Sequence, residues 1–410
     1  MSEYERAAGS RPAATGRLTR RSVLTLFGGT AMLAGCSPTT GPSGPSVGGG
    51  QLLPAPVTPT APTGEVIGSG SVRVALLLPK SAGGNGAAVA ATMRNAAQLA
   101  LSDFVGNDVT LMVKDTGGTP EGAARAATAA VAERAELILG PLFAAEVKAV
   151  APVALGANVP VISFSSDPSA ASSGVYVMGF MVDDQVRQVV SYAASQGRRS
   201  LAAIVSDGAY GTLAEAALRE SAARSGARII QVERAAAGNV AAAAAAVAAN
   251  AVQLDALFVP DGPGFAPAVA DALKGNGVDL SRVKLLGTGV WNDPAVYSSP
   301  SLAGGWFPVP DLSGYQSFAG RYRASFGGEP QQVTSLAYDA VVLAAGLVKA
   351  AGAQRFQRNV LTNPDGFLSA VNGLFRFNAD GTNDRGLAIY EATAGGPKLL
   401  QPAPRSFAGA

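Results

Sequence analysis

The sequence predicts an α/β protein with two doubly wound parallel-sheet lobes joined by a multi-strand hinge. Short apolar segments alternate with helical segments along most of the chain, and such strands are typical of parallel sheets buried on both faces. About 340 residues follow residue 70, which suits two domains of ordinary size better than one small core. Two sheets joined by more than one crossing predict a cleft between two lobes.

The first lobe is predicted from an alternation that begins at Val72. A continuous apolar run follows, and Met93, Ala97 and Leu101 then recur on one stripe of a helix. The predicted strands of this series are 72–78, 109–114, 137–139 and 159–164, and the predicted helices are 88–104, 121–134 and 144–155. Helices that alternate with parallel strands cover both faces of the sheet, so this series predicts one doubly wound lobe.

A second alternation follows residue 176 and predicts the other lobe. Its predicted strands are 200–205, 228–232, 256–259 and 283–286, and its predicted helices are 183–196, 213–225, 239–251 and 267–274. The segment 239–251 is rich in alanine, the best helix former, which favours a sheet-packed helix over a low-complexity segment.

The end of the chain predicts a return between the lobes. The segment 303–310 is expected to cross back, 315–326 and 333–351 to form helices, and 373–390 to form a hairpin that turns at Asp380 and Gly381.

The N-terminal residues have the pattern of an export signal. Arg20 and Arg21 precede an apolar run that begins at Val23 and is too short to span a bilayer. The run ends in Leu-Ala-Gly-Cys at 33–36, which resembles the lipobox of bacterial lipoproteins, in which the cysteine receives a lipid. We therefore predict lipidation of Cys36, the alternative being a free cysteine beside a signal peptide. Residues 19–24 also resemble a twin-arginine motif, so the export route stays open between that pathway and the general one.

Residues 37–70 predict a disordered tether after the signal at 1–36. This segment is rich in Pro, Gly, Ser and Thr, and Glu65 is its only charged residue. It contains too little apolar surface to offset the entropy of ordering, and as a coil it would span on the order of 30 Å. The tether would hold the folded part near a membrane without fixing its orientation.

The composition excludes several classes of function. The chain contains no histidine and one cysteine, which removes histidine-dependent triads, histidine-ligated metals and, with Cys36 lipidated, thiolate sites. The formal net charge is +2, and no basic cluster follows the leader, so nucleic-acid binding is not expected. The glycines at 83–86 lack the remainder of a phosphate loop, and 378–384 fits a hairpin turn better than a calcium loop. We therefore expect a protein with no enzymatic activity, no cofactor and no metal.

Five short stretches, taken in order, resemble one known family. They are Leu139-Gly-Pro-Leu-Phe143, Asn158-Val-Pro-Val-Ile-Ser-Phe-Ser-Ser166, Val205-Ser-Asp-Gly-Ala-Tyr-Gly211, Arg321-Tyr322 with Ala337-Tyr-Asp-Ala340, and Asn372-Gly-Leu-Phe-Arg-Phe-Asn-Ala-Asp-Gly381. Together they resemble the type I periplasmic binding proteins, the leucine-binding family, from residue 72 to about 400. The resemblance implies that fold, with lobe 1 at 71–182 plus 309–351 and lobe 2 at 183–308 plus 352–400.

Candidate ligand-binding residues lie at the carboxyl ends of the predicted strands, where open parallel sheets bind their ligands. They are Ser81, Phe143, Ser165, Ser166, Tyr210, Asp261 and Trp291. The hydroxyl groups of Ser165 and Ser166 would hold a ligand carboxylate, and an aromatic ring would cover an apolar part. The alternative is that all seven are ordinary loop or helix-capping residues.

Two positions depart from the pattern of amino-acid binders in this family. Ala144 and Ala145 stand where those proteins carry serines that bind the ligand carboxylate. No acidic residue, expected to hold a ligand ammonium, lies within 287–290, and Asp261 is the nearest substitute.

The resemblance implies a lipid-anchored receptor that closes on a small amino-acid-like or other polar solute and serves an ABC permease. The alternative is a penicillin-binding protein activator, an outer-membrane lipoprotein that regulates peptidoglycan synthesis through protein contact; the Gly140-Pro141-Leu142 strand end, the lipobox and the long tether fit that branch too. Ser37 follows the lipobox, and a residue other than aspartate there resembles the sorting signal for the outer membrane of Gram-negative bacteria. We therefore predict a periplasmic location, anchored at the outer membrane.

Overall fold

The structure is a computed structural model that describes residues 61–236 and 238–407. Two large sheets and one small sheet make up its β-structure. The predicted export signal with Cys36, and the predicted tether up to residue 60, lie outside the described residues.

The first sheet has six strands, of which five run parallel. Its elements are β1 (Glu65–Ile67), β2 (Val72–Leu78), α1 (Gly86–Asp103), β3 (Val109–Asp115), α2 (Pro120–Ala132), β4 (Leu137–Leu139), α3 (Ala144–Gly156), β5 (Val161–Ser163) and β6 (Val175–Val177). The strand order is β1-β3-β2-β4-β5-β6, and only β1 runs antiparallel to its neighbour. Helix α1 packs on one face of this sheet, and α2 and α3 pack on the other. The predicted doubly wound arrangement is confirmed.

The end of the predicted tether is ordered, which corrects the prediction for 65–67. Strand β1 pairs with β3, and the Glu65 carboxylate lies 2.6 Å from both Lys80 Nζ and Arg94 Nε. The only charge of the predicted tether thus helps to fix its last residues to the lobe.

The second sheet has seven strands, and the five that come from residues 200–309 are adjacent in it. Its elements are α4 (Val182–Ser195), β7 (Ser200–Ser206), α5 (Ala209–Ser225), β8 (Arg228–Ala235), α6 (Ala241–Ala248), β9 (Ala256–Phe258), α7 (Ala266–Gly275), β10 (Lys284–Leu286), α8 (Pro294–Tyr297) and β11 (Trp306–Val309). Strands β7 to β11 are parallel, and apolar clusters cover both faces of the sheet.

The remaining elements complete the second sheet, form the small sheet and add further helices. They are α9 (Leu312–Phe326), α10 (Thr334–Ala351), α11 (Arg358–Leu361), β12 (Phe367–Ser369), β13 (Gly373–Phe377), β14 (Asn383–Arg385), β15 (Ala388–Thr393) and β16 (Gly396–Gln401). Strands β15 and β16 join the second sheet in antiparallel fashion beside β11, while β12 to β14 form the small antiparallel sheet.

The small sheet packs with the first lobe, which corrects the prediction that all of 352–400 belongs to the second lobe. Phe375 and Phe377 belong to the same apolar cluster as β2, α1 and α10, and the Tyr176 ring lies 5.1 Å from that of Phe377. Within 352–400, therefore, only β15 and β16 extend the second sheet.

Three segments connect the two lobes. They are 178–181 between β6 and α4, 310–311 between β11 and α9, and 386–387 between β14 and β15. The predicted multi-strand hinge is confirmed.

One helix of the described residues, Thr334–Gln354, is long and apolar enough to cross a membrane by length and composition. In this structure it packs against α1 in the core of the first lobe, where Thr92 Oγ1 lies 2.9 Å from Thr334 Oγ1. Its apolar surface is explained by that packing.

Candidate ligand-binding site

A cavity of about 490 Å³ lies where the connecting segments meet the two lobes. The first lobe contributes Ser166 and Asp167 from the loop after β5, and Gln332 from the segment before α10. The connecting segments and their flanks contribute Phe180, Met181, Pro308, Val309, Pro310, Arg385 and Leu387. The second lobe contributes Val182, Asp184, Gln185, Tyr210, Leu213, Gly289, Val290, Asn292 and Asp293. The volume suits a small molecule, and a ligand there would touch both lobes.

Of the adjacent predicted serines Ser165 and Ser166, only Ser166 lines the cavity. Ser165 is buried, and its Oγ accepts the backbone N–H of Asp167 at 3.1 Å, which holds the turn after β5. A Cβ at Gly179 would lie 2.2 Å from the Ser165 carbonyl oxygen, so glycine lets the first connecting segment run against this turn. Ser165 therefore positions the loop, and Ser166 is the residue exposed to a ligand.

Tyr210 lines the cavity from the first turn of α5. The Thr288 hydroxyl donates to the Pro260 carbonyl oxygen at 2.7 Å, so the hydrogen in the 2.7 Å contact between Tyr210 Oη and Thr288 Oγ1 comes from Tyr210. Burial raises the pKa of the Tyr210 hydroxyl to about 12 and keeps it neutral. Tyr210 thus offers a ligand its ring and an acceptor lone pair, but no hydrogen.

Trp291 and Asp261 lie outside the cavity, which corrects the role predicted for them. The Trp291 ring is fully buried beside Gly287, and its Nε1 donates to the Asp261 carbonyl oxygen at 3.1 Å. The Asp261 carboxylate accepts the backbone N–H of Ser206 at 3.0 Å. Both residues hold loops of the second lobe together. Val290 and Asn292, which flank Trp291 in the sequence, line the cavity instead.

Ser81 and Phe143 also lie away from this cavity. Ser81 is exposed, its backbone N–H donates to Asp115 Oδ1 at 3.1 Å, and it lines a separate hollow of about 390 Å³ on the first lobe. Phe143 precedes α3, is 42% exposed and donates its backbone N–H to Glu146 Oε2 at 3.3 Å. In this conformation neither residue lines the cavity that Ser166 and Tyr210 line.

Arg385, which no sequence pattern indicated, is the only cationic residue among the described residues that line the cavity. It ends β14, is 6% exposed, and its guanidinium carbon lies 4.8 Å from the Phe180 ring centre and 5.4 Å from that of Phe375. Nη2 donates to the Met178 carbonyl oxygen, while Nε and Nη1 have no hydrogen-bond partner. Burial lowers the pKa of Arg385 to about 10, so the group stays charged at neutral pH.

Asp184 is the second residue whose role was missed. It stands in the first turn of α4, where a carboxylate interacts favourably with the helix dipole. It is 3% exposed; Oδ1 pairs with Arg187, and Oδ2 accepts the backbone N–H of Arg385 at 3.1 Å. Burial raises the pKa of this carboxyl to about 6 despite the nearby guanidinium of Arg187.

The sequence matches the family model of periplasmic binding proteins over residues 71–397. The chain belongs to this family. Membership places this periplasmic binding protein in the periplasm and among substrate-binding receptors. No curated protein matches the sequence.

Solved structures of bacterial solute-binding proteins share the fold. One from Rhodospirillum rubrum, described as a branched-chain amino acid ABC transporter, is 19% identical with a TM-score of 0.72, and the match covers 80% of this chain and 99% of that one. The branched-chain amino acid substrate-binding protein of Streptococcus pneumoniae, in complex with isoleucine, is 20% identical (TM-score 0.57; 81% and 99% covered). A solute-binding protein of R. palustris in complex with benzoate is 19% identical (TM-score 0.57; 82% and 97% covered). At these identities the likeness establishes the fold alone.

Proposed function

We propose that this periplasmic binding protein is a solute receptor that closes its two lobes on a small amino-acid-like or other polar solute and presents the closed form to an ABC permease. The observation that carries the proposal is the cavity of about 490 Å³ at the hinge, which takes residues from both lobes. A solute that touches both lobes binds the closed state more tightly and shifts the equilibrium toward it.

The chemistry of the cavity supports a solute with both polar and apolar parts. Ser166, Tyr210 and Arg385 supply polar groups, while Leu213 and Val290 supply apolar surface. Structural neighbours were solved with isoleucine and with benzoate, two small molecules of this mixed character.

The anchor completes the proposal. A lipid on Cys36, which lies outside the described residues, would hold the receptor at the outer membrane. Because β1 begins at Glu65, the proposed tether is the segment between Cys36 and β1. Such a tether keeps the receptor near the membrane while the lobes stay free to close.

A thermal-shift screen of the purified protein against amino acids and small organic acids tests the receptor function. We expect at least one solute to raise the melting temperature, because binding to the native state alone stabilises it. The same solute should bind by calorimetry and reduce the radius of gyration in X-ray scattering. A silent screen, combined with capture of a penicillin-binding protein, would instead favour the activator of cell-wall synthesis.

Tyr210→Ala provides the matched test of the site. It removes a ring from the cavity and should abolish the thermal shift. Tyr315→Ala is the control, because Tyr315 lies in α9, outside the cavity, and donates to the Pro330 carbonyl oxygen. Equal loss of binding in both variants would show that this cavity is not the binding site.

A further inference from the structure

The last described residues, 402–407, run from the second lobe to the first. They follow β16, the edge strand of the second sheet, and end with the Phe407 ring against Arg376 of β13 in the small sheet. We propose that this segment is a strap across the hinge that restrains the movement of the two lobes. The inference rests on the lobe closure of the proposed function and adds the element that limits it.

The strap is fixed to the first lobe by an aromatic ring. The guanidinium carbon of Arg376 lies 4.4 Å from the centre of the Phe407 ring, which is an attractive cation–π contact. A Cβ at Gly366 would lie 2.9 Å from Phe407 Cε2, so the ring also packs directly against the turn before β12. Arg376 is itself held by Asp384, whose carboxylate lies 2.9 Å from Nη2. The end of the strap is therefore attached to the small sheet, which packs with the first lobe.

The other end of the strap is fixed to the second lobe. Strand β16 pairs with β15, and Ala403 packs against the apolar cluster that includes Phe307 and Tyr390. A segment of this length can span no more than about 20 Å even when it is fully extended. A large change in the distance between its two attachments must therefore detach one of them.

The middle of the strap lies beside two of the three connecting segments. A Cβ at Gly386 would lie 3.0 Å from both Pro404 Cγ and the Pro404 carbonyl oxygen, so this proline packs on the last connecting segment. Hydrogen bonds from Ser313 lower the pKa of Asp311, and the positive charge of Arg405 lowers it further, which places Arg405 near the second connecting segment. The strap thus follows the hinge itself on its way between the lobes.

The composition of the strap suits a restraint better than a part of the core. Pro402 and Pro404 fix their own φ angles and stiffen the chain around them. Both prolines and Arg405 are exposed, whereas Ala403 and Phe407 are half-buried at the two attachments. Because most of the strap lies outside the apolar cores, we expect both lobes to fold without it.

Distances between spin labels on the two lobes test the strap in the solute-free protein. The labels are attached at two exposed positions, Ser102→Cys in α1 and Ala216→Cys in α5, in a Cys36→Ser background that has no other cysteine. Phe407→Ala and a chain that ends at Gln401 should each broaden the distance distribution about twofold, because further lobe angles become accessible when the restraint is lost.

Two further variants show whether the effect belongs to the anchoring ring. Phe407→Tyr retains an aromatic face for Arg376 and should keep the narrow distribution. Leu399→Ala removes a 47% exposed apolar side chain from β16, on the lobe where the strap begins, and should keep it as well. Cooperative thermal unfolding of each variant shows that it is folded.

The outcomes separate the strap from the receptor function. Equally narrow distributions in the unmodified protein, Phe407→Ala and the shortened chain would overturn the strap, and so would equal broadening by Leu399→Ala. Lower melting temperatures of Phe407→Ala and the shortened chain with an unchanged distribution would assign the segment a purely structural role and would also overturn it. Because the distances are measured without a solute, their failure leaves the receptor function standing, and a solute screen without a ligand leaves the distances unchanged.

Discussion

The backbone N–H of Arg385 donates to Asp184 Oδ2 at 3.1 Å, which ties the last connecting segment to the start of α4. The other oxygen of Asp184 pairs with Arg187, whose Nη2 also lies 3.7 Å from Asp384 Oδ1. One carboxylate thus joins the second lobe to the small sheet of the first. Any change in its protonation alters a contact at the hinge.

Asp184 should make stability fall as pH rises through the range of its titration. Its pKa is raised from 3.8 to about 6 in the folded protein, so between these values the native state binds more protons than the unfolded state. The free energy of unfolding therefore decreases by about 2 kcal/mol between pH 4 and pH 7 through this group. Urea denaturation of the protein and of Asp184→Asn across that range measures it, since titrations elsewhere cancel in the difference.

Asp380→Asn is the control of opposite sign. Hydrogen bonds from Thr382 lower the pKa of Asp380, so its contribution to stability is present above the unfolded pKa and is lost as pH falls. The difference between the protein and Asp380→Asn should rise with pH, whereas that for Asp184→Asn should fall. A flat or rising difference for Asp184→Asn would show that burial does not control its titration.

Tyr210→Phe should separate the hydroxyl of this residue from its ring. The variant loses the hydrogen bond to Thr288 but keeps the aromatic surface, so we expect the free energy of unfolding to fall by about 1 kcal/mol. Solutes that need the acceptor lone pair of the hydroxyl would lose affinity as well. Tyr315→Phe removes a comparable hydrogen bond outside the cavity and should reduce stability without changing solute affinity. Identical solute affinity in the unmodified protein, Tyr210→Phe and Tyr315→Phe would show that Tyr210 makes only an apolar contact with the solute.

Cys36→Ser should release the protein from the membrane. The chain has one cysteine, so incorporation of radiolabelled palmitate reports on a single position. We expect the label and the membrane fraction to be lost together in Cys36→Ser, because the lipid proposed on Cys36 would supply the anchor. Ser37→Asp keeps the cysteine and should keep the label while moving the protein to the inner membrane. Palmitate incorporation by Cys36→Ser would exclude the predicted anchor.

The fold was predictable because its signal is local and repeated. The run at 72–78 is apolar throughout, as a strand buried on both faces requires, and the same pattern recurs in both lobes. The prediction that the small sheet belongs to the second lobe was wrong, because the sequence of residues 367–385 does not indicate which lobe Phe375 and Phe377 pack against. Long-range packing decides that question.

The site was predicted less well, for a related reason. Ser166 and Tyr210 follow strands whose carboxyl ends meet at the cleft, so their position was predictable from topology. Trp291 also follows a strand, but its ring is directed into the core, where Gly287 and Gly305 leave room for it. Arg385 stands in a hairpin far along the chain and reaches the cavity only through the pairing of β13 with β14.

The packing of Trp291 against Gly287 should control the shape of the cavity wall. A Cβ at Gly287 would lie 2.2 Å from Trp291 Cδ2, and one at Gly305 would lie 2.5 Å from Cζ3, so the ring has no room to move. Gly287→Ala should therefore lower the free energy of unfolding by about 1–3 kcal/mol, weaken solute binding through the displaced segment 288–292, and alter the near-ultraviolet circular dichroism. Gly262→Ala is the matched control, because the nearest atom to its Cβ lies at 3.6 Å. If both variants are equally stable and bind equally well, the ring is not held as tightly as the distances indicate.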